Sequence, residues 1–480
     1  MARSLLLSAA LVLLVVTPTP GQVPAPGRSP SPALEAIDVA QPDGWDENLT
    51  LPQPADLNPD PRILEFNLEA KITNIEIRPG VTTPVWTYNG MLPGPYIRAK
   101  VGDTVIVHFT NSLPEETTIH WHGLRVPNNM DGTPGMTQDP ITPGGEFRYE
   151  FVLKDAGTYW YHPHLNSSAQ VGWGLYGPIV VEDSTDSKAF GDDLVLMLSD
   201  MSLDDGGRLL PKDNGGAFGD LFGREGGALL VNGKVRPRLK VRAGKPQRWR
   251  IINAARARYM ALDARRSTFV RLGGDNGLAA ESKPLDRLLI VPGERLDVVQ
   301  TSTADPGTVV TVRWVPVNRG YGTTFGRPSE PMMDIETVNL PAVRPPPVPE
   351  HLRDIAPIDV SKAAETTLDL TIQLDGKIVE MGINGAPSWK AAPLHARIGD
   401  TQVWTLTNNS VFDHPFHLHG YFFQVLDETR VPEWKDTINV PVKSTVRIAV
   451  KFDERPGMWM FHCHILDHAE VGMMGHVHVE

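Results

Sequence analysis

One pattern recurs three times along this 480-residue chain and leaves few folds open to it. Asn89-Gly90, Asn232-Gly233 and Asn384-Gly385 each precede an alternating apolar–polar run: "YIRAKVGDTVIVHFTN", "RLKVRAGKPQRWRIIN" and "HARIGDTQVWTLTN". Each run carries Gly102-Asp103, Gly244-Lys245 or Gly399-Asp400, and eight residues after that Asp or Lys comes an asparagine: Asn111, Asn253 or Asn408. Alternation with period two marks half-buried strands, and no long 3.6-residue pattern competes with it. Three copies of one β unit predict an all-β chain of three related β-sandwich domains, in keeping with its length. The expected domains are residues 56–183, 184–340 and 353–480, with the proline-rich linker "PAVRPPPVPEHL" at 341–352. Residues 22–55 read as a disordered lead-in.

The start of the chain, "MARSLLLSAALVLLVVTPTPGQ", sets Arg3 ahead of a twelve-residue apolar run at 5–16, broken by one serine. That is too short for a bilayer span and fits a secretory signal over residues 1–21. No second long apolar segment follows, so the mature protein is expected to be periplasmic or extracellular, with no membrane partner. A net charge of −12 argues against nucleic acid. Cys463 is the only cysteine, so an internal disulfide is excluded and the thiol is either a packed core group or a chemically used one.

The repeat also sorts the histidines. Nine residues past Asn111 stands His120, nine past Asn408 stands His417, and two further on stand His122 and His419. The same count from Asn253 reaches Leu262, then Ala264. A second match links "GTYWYHPH", with His162 and His164, to "GMWMFHCH", with His462 and His464. Domains 1 and 3 thus each carry two His-x-His pairs, and domain 2 carries none; its expected role is packing and shaping the substrate approach. Of 15 histidines, ten lie in four clusters, "HWH", "HPH", "HPFHLH" and "HCHILDH". His108, His351, His395, His476 and His478 read as solvated or satisfied side chains. Side chains i and i+2 of a strand share a face, so each pair aims two imidazoles at one point. Eight imidazoles exceed what one first-row ion takes, whereas three ions with two or three each use them all. Imidazole suits copper, zinc, iron and nickel alike, so the pairs by themselves do not name the metal.

Cys463 does. Lying between His462 and His464, it faces the opposite side of its strand and belongs to a separate site. His468, Met473 and the unpaired His414 are its candidate partners, with Met474 a rival to Met473. Two histidines, a thiolate and a weak thioether make a blue-copper electron-transfer site. One copper plus three stores four electrons, the number that reduces O2 to two waters.

With "HWHG", "HPFHLHG" and "HCHxxxH" in this order and spacing, the chain resembles the three-domain multicopper oxidases of the laccase-like, bacterial type, over essentially the whole mature length. The resemblance implies three cupredoxin-like Greek-key β-sandwiches and four coppers. It implies type 1 copper on His414, Cys463, His468 and axial Met473, and type 2 copper on His120 and His417. One type 3 copper would take His122, His162 and His464, the other His164, His419 and His462. Cys463, His462 and His464 would carry electrons between the sites. Asp131, in "NNMDG", matches an acidic residue that relatives hold near the cluster for proton supply; the alternative is a turn residue ahead of Gly132. Many bacterial relatives carry a glutamate directly after the last histidine of "HCHxxxH". This chain has Ala469 there, then Glu470.

The expected partners are O2 and small phenols or aromatic amines, with Cu(I), Fe(II) or Mn(II) as the alternative donors. Methionine-rich inserts suit Cu(I), and the 14 methionines here are scattered. A two-domain copper nitrite reductase would lack this full set of pairs, and a binding scaffold would be expected to have lost ligands.

Overall fold

In the computed structural model of the protein, which describes residues 49–183, 190–320, 322–324, 326–375, 378–426 and 431–480, the three Asn-Gly pairs form the same turn. Asn89, Asn232 and Asn384 have φ of 53°, 49° and 56°, and Gly90, Gly233 and Gly385 have φ of 71°, 76° and 76°. Positive φ at both central residues gives the hairpin turn whose twist matches its flanking strands.

The three repeat asparagines are latches of one design. Asn111 Nδ2 donates to the carbonyls of Glu115 and Ile141, and its Oδ1 accepts from the Leu113 amide. Asn253 does the same with Arg258, Ile290 and Ala255, and Asn408 with Phe412, Val440 and Ser410. All three are fully buried. Each closes a strand that runs parallel to an earlier one: Thr104–Asn111 beside Ile63–Arg78, Pro246–Asn253 beside Asp192–Met201, and Thr401–Asn408 beside Ala364–Asp375.

Among the described residues six sheets result, two to a sandwich. The first sandwich packs two four-stranded sheets, the second a seven-stranded sheet on a five-stranded one, and the third two five-stranded sheets. Large aromatic side chains pack among the aliphatic residues of each core: Trp121, Tyr149 and Tyr161; Trp249 and Trp314; Trp404, Phe416, Phe461 and Trp459. Burying each contributes roughly 1.5–3 kcal/mol. Two strand pairs position the site. His120–His122 lies against Gly157–His162 in the first sandwich, with His120 opposite His162. In the third, His414–Leu418 lies against Gly457–Cys463, with His417 opposite His462 and Phe416 opposite Cys463.

Among the described residues the α-helices are short: α1 (Ser167–Gly172), α2 (Gly216–Phe222) and α3 (Leu466–Glu470). None of the helices is long and apolar enough to cross a membrane. Contacts from Ser167 to Glu470 and from Ser168 to Asp467 tie α1 to α3 and so the first sandwich to the third.

The expected signal and residues 22–48 lie outside the described residues. The rest of the expected lead-in is not disordered. Leu49 and Leu51 are buried in apolar clusters, the Leu49 carbonyl accepts from Asn232 Nδ2, and that of Pro52 accepts from the Tyr96 amide. Two leucines spaced by one residue supply the burial that composition alone concealed. Residues 341–350 carry no helix or strand, and the amides of Val343 and Leu352 bond to carbonyls of Ala243 and Ala280.

Candidate metal centre

Strand periodicity divides the ligand candidates between two faces of one sheet. His414, Phe416 and Leu418 point inward with Cys463; His417 and His419 point outward with His462 and His464. All ten clustered histidines and Cys463 are buried.

On the inner face, Cys463 Sγ lies 3.5 Å from His414 Nδ1 and 3.7 Å from His468 Nδ1, and those two nitrogens are 3.2 Å apart. His468 Nε2–H donates to the Leu221 carbonyl at 3.1 Å, and His414 Nε2 meets Ser410 Oγ at 2.8 Å. The far nitrogens being engaged, both Nδ1 atoms turn their lone pairs toward the sulfur. Burial pushes the His468 imidazole down to about 3 and the Cys463 thiol up. A thiol so placed releases its proton to solvent only when a cation binds the thiolate left behind. Met473 is buried in the same core cluster as Cys463, whereas Met474 is half-buried.

Eight imidazoles meet on the outer face, four from each flanking sandwich. His120 Nδ1–H donates to the Asp131 carbonyl (2.8 Å), that of His162 to Pro163 (2.9 Å), that of His417 to Asp436 (3.0 Å) and that of His462 to Cys463 (2.9 Å). The Nε2 atoms of His120, His162, His417 and His464 and the Nδ1 of His122 are buried without a partner. His419 Nε2 and His164 Nε2 face His462 Nε2 at 3.1 and 3.4 Å. Buried nitrogens left unpaired at this density are costly without a ligand. A metal accepting their lone pairs removes the cost, and the outward N–H bonds are the usual second anchor of a metal-bound histidine. Three trios hold their candidate atoms within 4.8 Å of one another: His122, His162 and His464; His164, His419 and His462; His414, Cys463 and His468. His120 and His417 meet with His122 in a further group. Burial pushes the imidazoles of His122, His162, His164, His417, His419, His462 and His464 down, toward the neutral form that ligates.

Two carboxylates frame the outer group. His120 stacks on His419, and His122 on His417, each pair with ring centres 3.8 Å apart. Asp131 spans the first pair, with Oδ2 accepting from His419 Nδ1 at 2.9 Å and Oδ1 3.3 Å from His120 Nδ1. Asp436 spans the second, with Oδ1 3.3 Å from both His122 Nε2 and His417 Nδ1. Burial raises both carboxyls, but it is outweighed: by His419 and His120 at Asp131, and by Arg295 with the two imidazoles at Asp436, so each is held well below the usual range. Asp131 also accepts from Thr133 Oγ1 at 2.7 Å. Its side chain is therefore turned into the site, while Gly132 (φ 82°) packs against the Ile119 carbonyl where no Cβ fits.

Family models described as multicopper oxidase match residues 69–186 and 359–480, the two histidine-bearing segments. The multicopper oxidase MmcO of Mycobacterium tuberculosis is 32% identical over 432 residues, covering 81% of each chain. This chain belongs to the multicopper oxidase family. Among solved structures, a multicopper oxidase from Campylobacter jejuni described as a metallo-oxidase is 30% identical, with a TM-score of 0.79 over 89% of this chain and 94% of that one. A laccase-like multicopper oxidase, CueO from an Ochrobactrum species, described as active on lignin model compounds, is 28% identical, with a TM-score of 0.75 over 90% and 100%. The oxidase holds copper as one type 1, one type 2 and two type 3 centres, and couples one-electron oxidation of reducing substrates to four-electron reduction of O2 to water.

Sequence reasoning missed Asp436, Ser410 and Leu221. Asp436 stands in "WKDTINV", just before a strand that pairs with the "HPFHLH" strand, and only that register reveals it. The histidines set aside lie elsewhere: His108 meets Glu65 at 2.7 Å, and His395 sits opposite His478. Of the carboxyls beside Ala469, Asp467 is engaged by Ser168, Arg224 and Arg256, and Glu470 accepts from Ser167 at the start of α1.

Proposed function

We propose that the oxidase is a laccase-like enzyme whose donors are phenols and aromatic amines. The observation that carries this reading is the surface over His468. There α2 lays Leu221 on the imidazole edge, and Phe412 stands between that ring and Phe222, with centres 6.3 and 5.2 Å apart. Phe218, on the same helix, is 75% exposed. No methionine occurs from residue 202 to 259. An aromatic face suits aromatic donors, whereas thioethers would suit Cu(I).

A second reading, metal-ion oxidation, draws on the same contact. The Leu221 carbonyl occupies His468 Nε2, so a phenol hydroxyl bonds that nitrogen only by displacing it, whereas a small ion has no need of the bond. Steady-state rates with a substituted phenol and with Cu(I), side by side under air, separate the two. Higher kcat/KM for the phenol is expected; rapid Cu(I) oxidation with a silent phenol would reverse the order.

The trios and pairs described above support the following ligand set. His414, Cys463 and His468, with Met473 axial, hold type 1 copper, and His120 and His417 hold type 2. His122, His162 and His464 hold one type 3 copper, and His164, His419 and His462 the other. Cys463 and its two chain neighbours join the sites by a few covalent bonds. Asp131 keeps the outward protons of His120 and His419 in place and serves proton supply to the cluster. The domain limits 56–183, 184–340 and 353–480, and an exported, periplasmic or extracellular location, belong to the same reading.

A further inference from the structure

The second sandwich holds no histidine of either site, yet one of its residues touches both flanking sandwiches beside the outer imidazoles. Arg295 opens the strand Arg295–Ser302 and is fully buried. Its Nε donates to the Thr158 carbonyl of the first sandwich at 2.9 Å. Nη1 donates to Asp436 Oδ1 of the third at 2.8 Å, and Nη2 to Asp436 Oδ2, which makes a two-toothed clamp. Nη1 and Nη2 also donate to the carbonyls of Gly293 and Asp275 in the second sandwich. Asp275 completes the frame: its carboxylate accepts from the amides of Arg295, Asp436 and Thr437.

Two glycines make room for this frame. A Cβ on Gly123, the glycine of "HWHG", would stand 2.5 Å from Arg295 Nη2 and 2.8 Å from Asp436 Oδ2. One on Gly293, two residues before Arg295, would stand 2.6 Å from the His464 ring. The Asp436 oxygen bound by Nη1 is the one 3.3 Å from both His122 Nε2 and His417 Nδ1.

We propose that Arg295 is a positioning residue of the trinuclear site: by clamping Asp436 it fixes the stacked rings of His122 and His417, and so the ligand-free sandwich sets the geometry of two coppers bound by its neighbours. The proposal rests on the ligand set given above. A lysine cannot reproduce it, because a single ammonium cannot hold both carboxylate oxygens and the Thr158 carbonyl in one plane.

The test uses copper-loaded full-length protein: wild type, Arg295→Gln, Arg295→Lys, Asp436→Asn and the Arg295→Gln/Asp436→Asn double variant. Type 1 absorbance reports folding. The type 2 electron paramagnetic resonance signal and copper retained against a chelator report the site. The expected result is intact type 1 absorbance with an altered type 2 signal and type 2 copper held roughly 10–100-fold more weakly. The double variant should be no worse than the worse single, because both remove one interaction. Arg295→Lys should likewise keep the type 1 site and should recover the wild-type type 2 signal only in part. An unchanged type 2 signal in Arg295→Gln overturns the proposal. Parallel loss of type 1 and type 2 copper in both Arg295→Gln and Asp436→Asn also overturns it, reducing the frame to general packing. A wild-type protein without any type 2 signal would instead sink the ligand set beneath it.

Discussion

Where the first and third sandwiches set His120 against His162 and His417 against His462, the second sets Leu262 against Trp314. The asparagine latch nine residues earlier is the same, and each of these strands pairs antiparallel with its neighbour. What differs is what the strand carries. Trp314 is an indole packed under the guanidiniums of Arg258 and Arg327, its Nε1–H donating to the Tyr259 carbonyl. The fold therefore does not depend on the metal positions. Copper chemistry is mounted on a scaffold that closes equally well around an apolar pair.

The sharpest break in this comparison is Cys463→Ser. Only the third sandwich has a thiol between its paired histidines; the first has Pro163 at that place. The variant should lose type 1 copper, the blue colour and turnover down to background, measured by visible absorbance and oxygen uptake. Persistence of the blue band would remove Cys463 from the type 1 site. Next comes Asp131→Asn, which keeps the shape of the group framing His120 and His419 but not its acid–base capacity. Copper content should hold, and reoxidation of the reduced enzyme by O2 should slow by about 10²- to 10⁴-fold. A wild-type stopped-flow trace would demote Asp131 to a turn residue.

The latches allow the three sandwiches to be compared directly. Asn111→Ala, Asn253→Ala and Asn408→Ala each leave one buried amide without its acceptor and take a donor from two carbonyls, a cost of about 1–3 kcal/mol. Of those carbonyls, Ile141 keeps the Thr117 amide and Phe412 keeps Ser410 Oγ. Melting midpoints should fall by similar amounts, yet Asn253→Ala alone should keep full copper retention against a chelator. Met473→Leu should keep the blue site and raise its potential, while Met474→Leu, altering a half-buried side chain, should shift it little; a redox titration with the reverse order would exchange their roles. The smallest effect belongs to Leu262→Met, a volume-conserving change expected to cost less than about 1.5 kcal/mol and to leave four coppers by elemental analysis. A lost copper there would mean that the second sandwich is not the ligand-free copy.

The residues that could be read from sequence are those whose partners are close in the chain. His-x-His on a strand declares its own geometry, and the repeat spacing puts His120 and His417 at equivalent places. Asp436 and Arg295 escaped because their meaning is tertiary: a carboxylate from one sandwich and a guanidinium from another, 141 positions apart, meet only after all three have docked. Leu49 and Leu51 look like part of a disordered segment in sequence because two apolar residues among prolines and acids give no period. α2 escaped for a related reason. Gly215, Gly216, Gly219 and Gly223 resemble a loop in sequence, and the helix carries no buried residue of its own.

The contact between Leu221 and His468 sets the proposed donor end of the type 1 site against a helix of the second sandwich, the sandwich that carries none of the proposed ligands. Side chains on the outer side of that seven-residue helix, Phe218 among them, can change while the Leu221 backbone carbonyl still holds His468. Appetite for donors and competence toward oxygen are thereby heritable as separate traits. On the proposed reading, the choice of donor is then set by the outward side chains of α2, apart from the residues that meet oxygen.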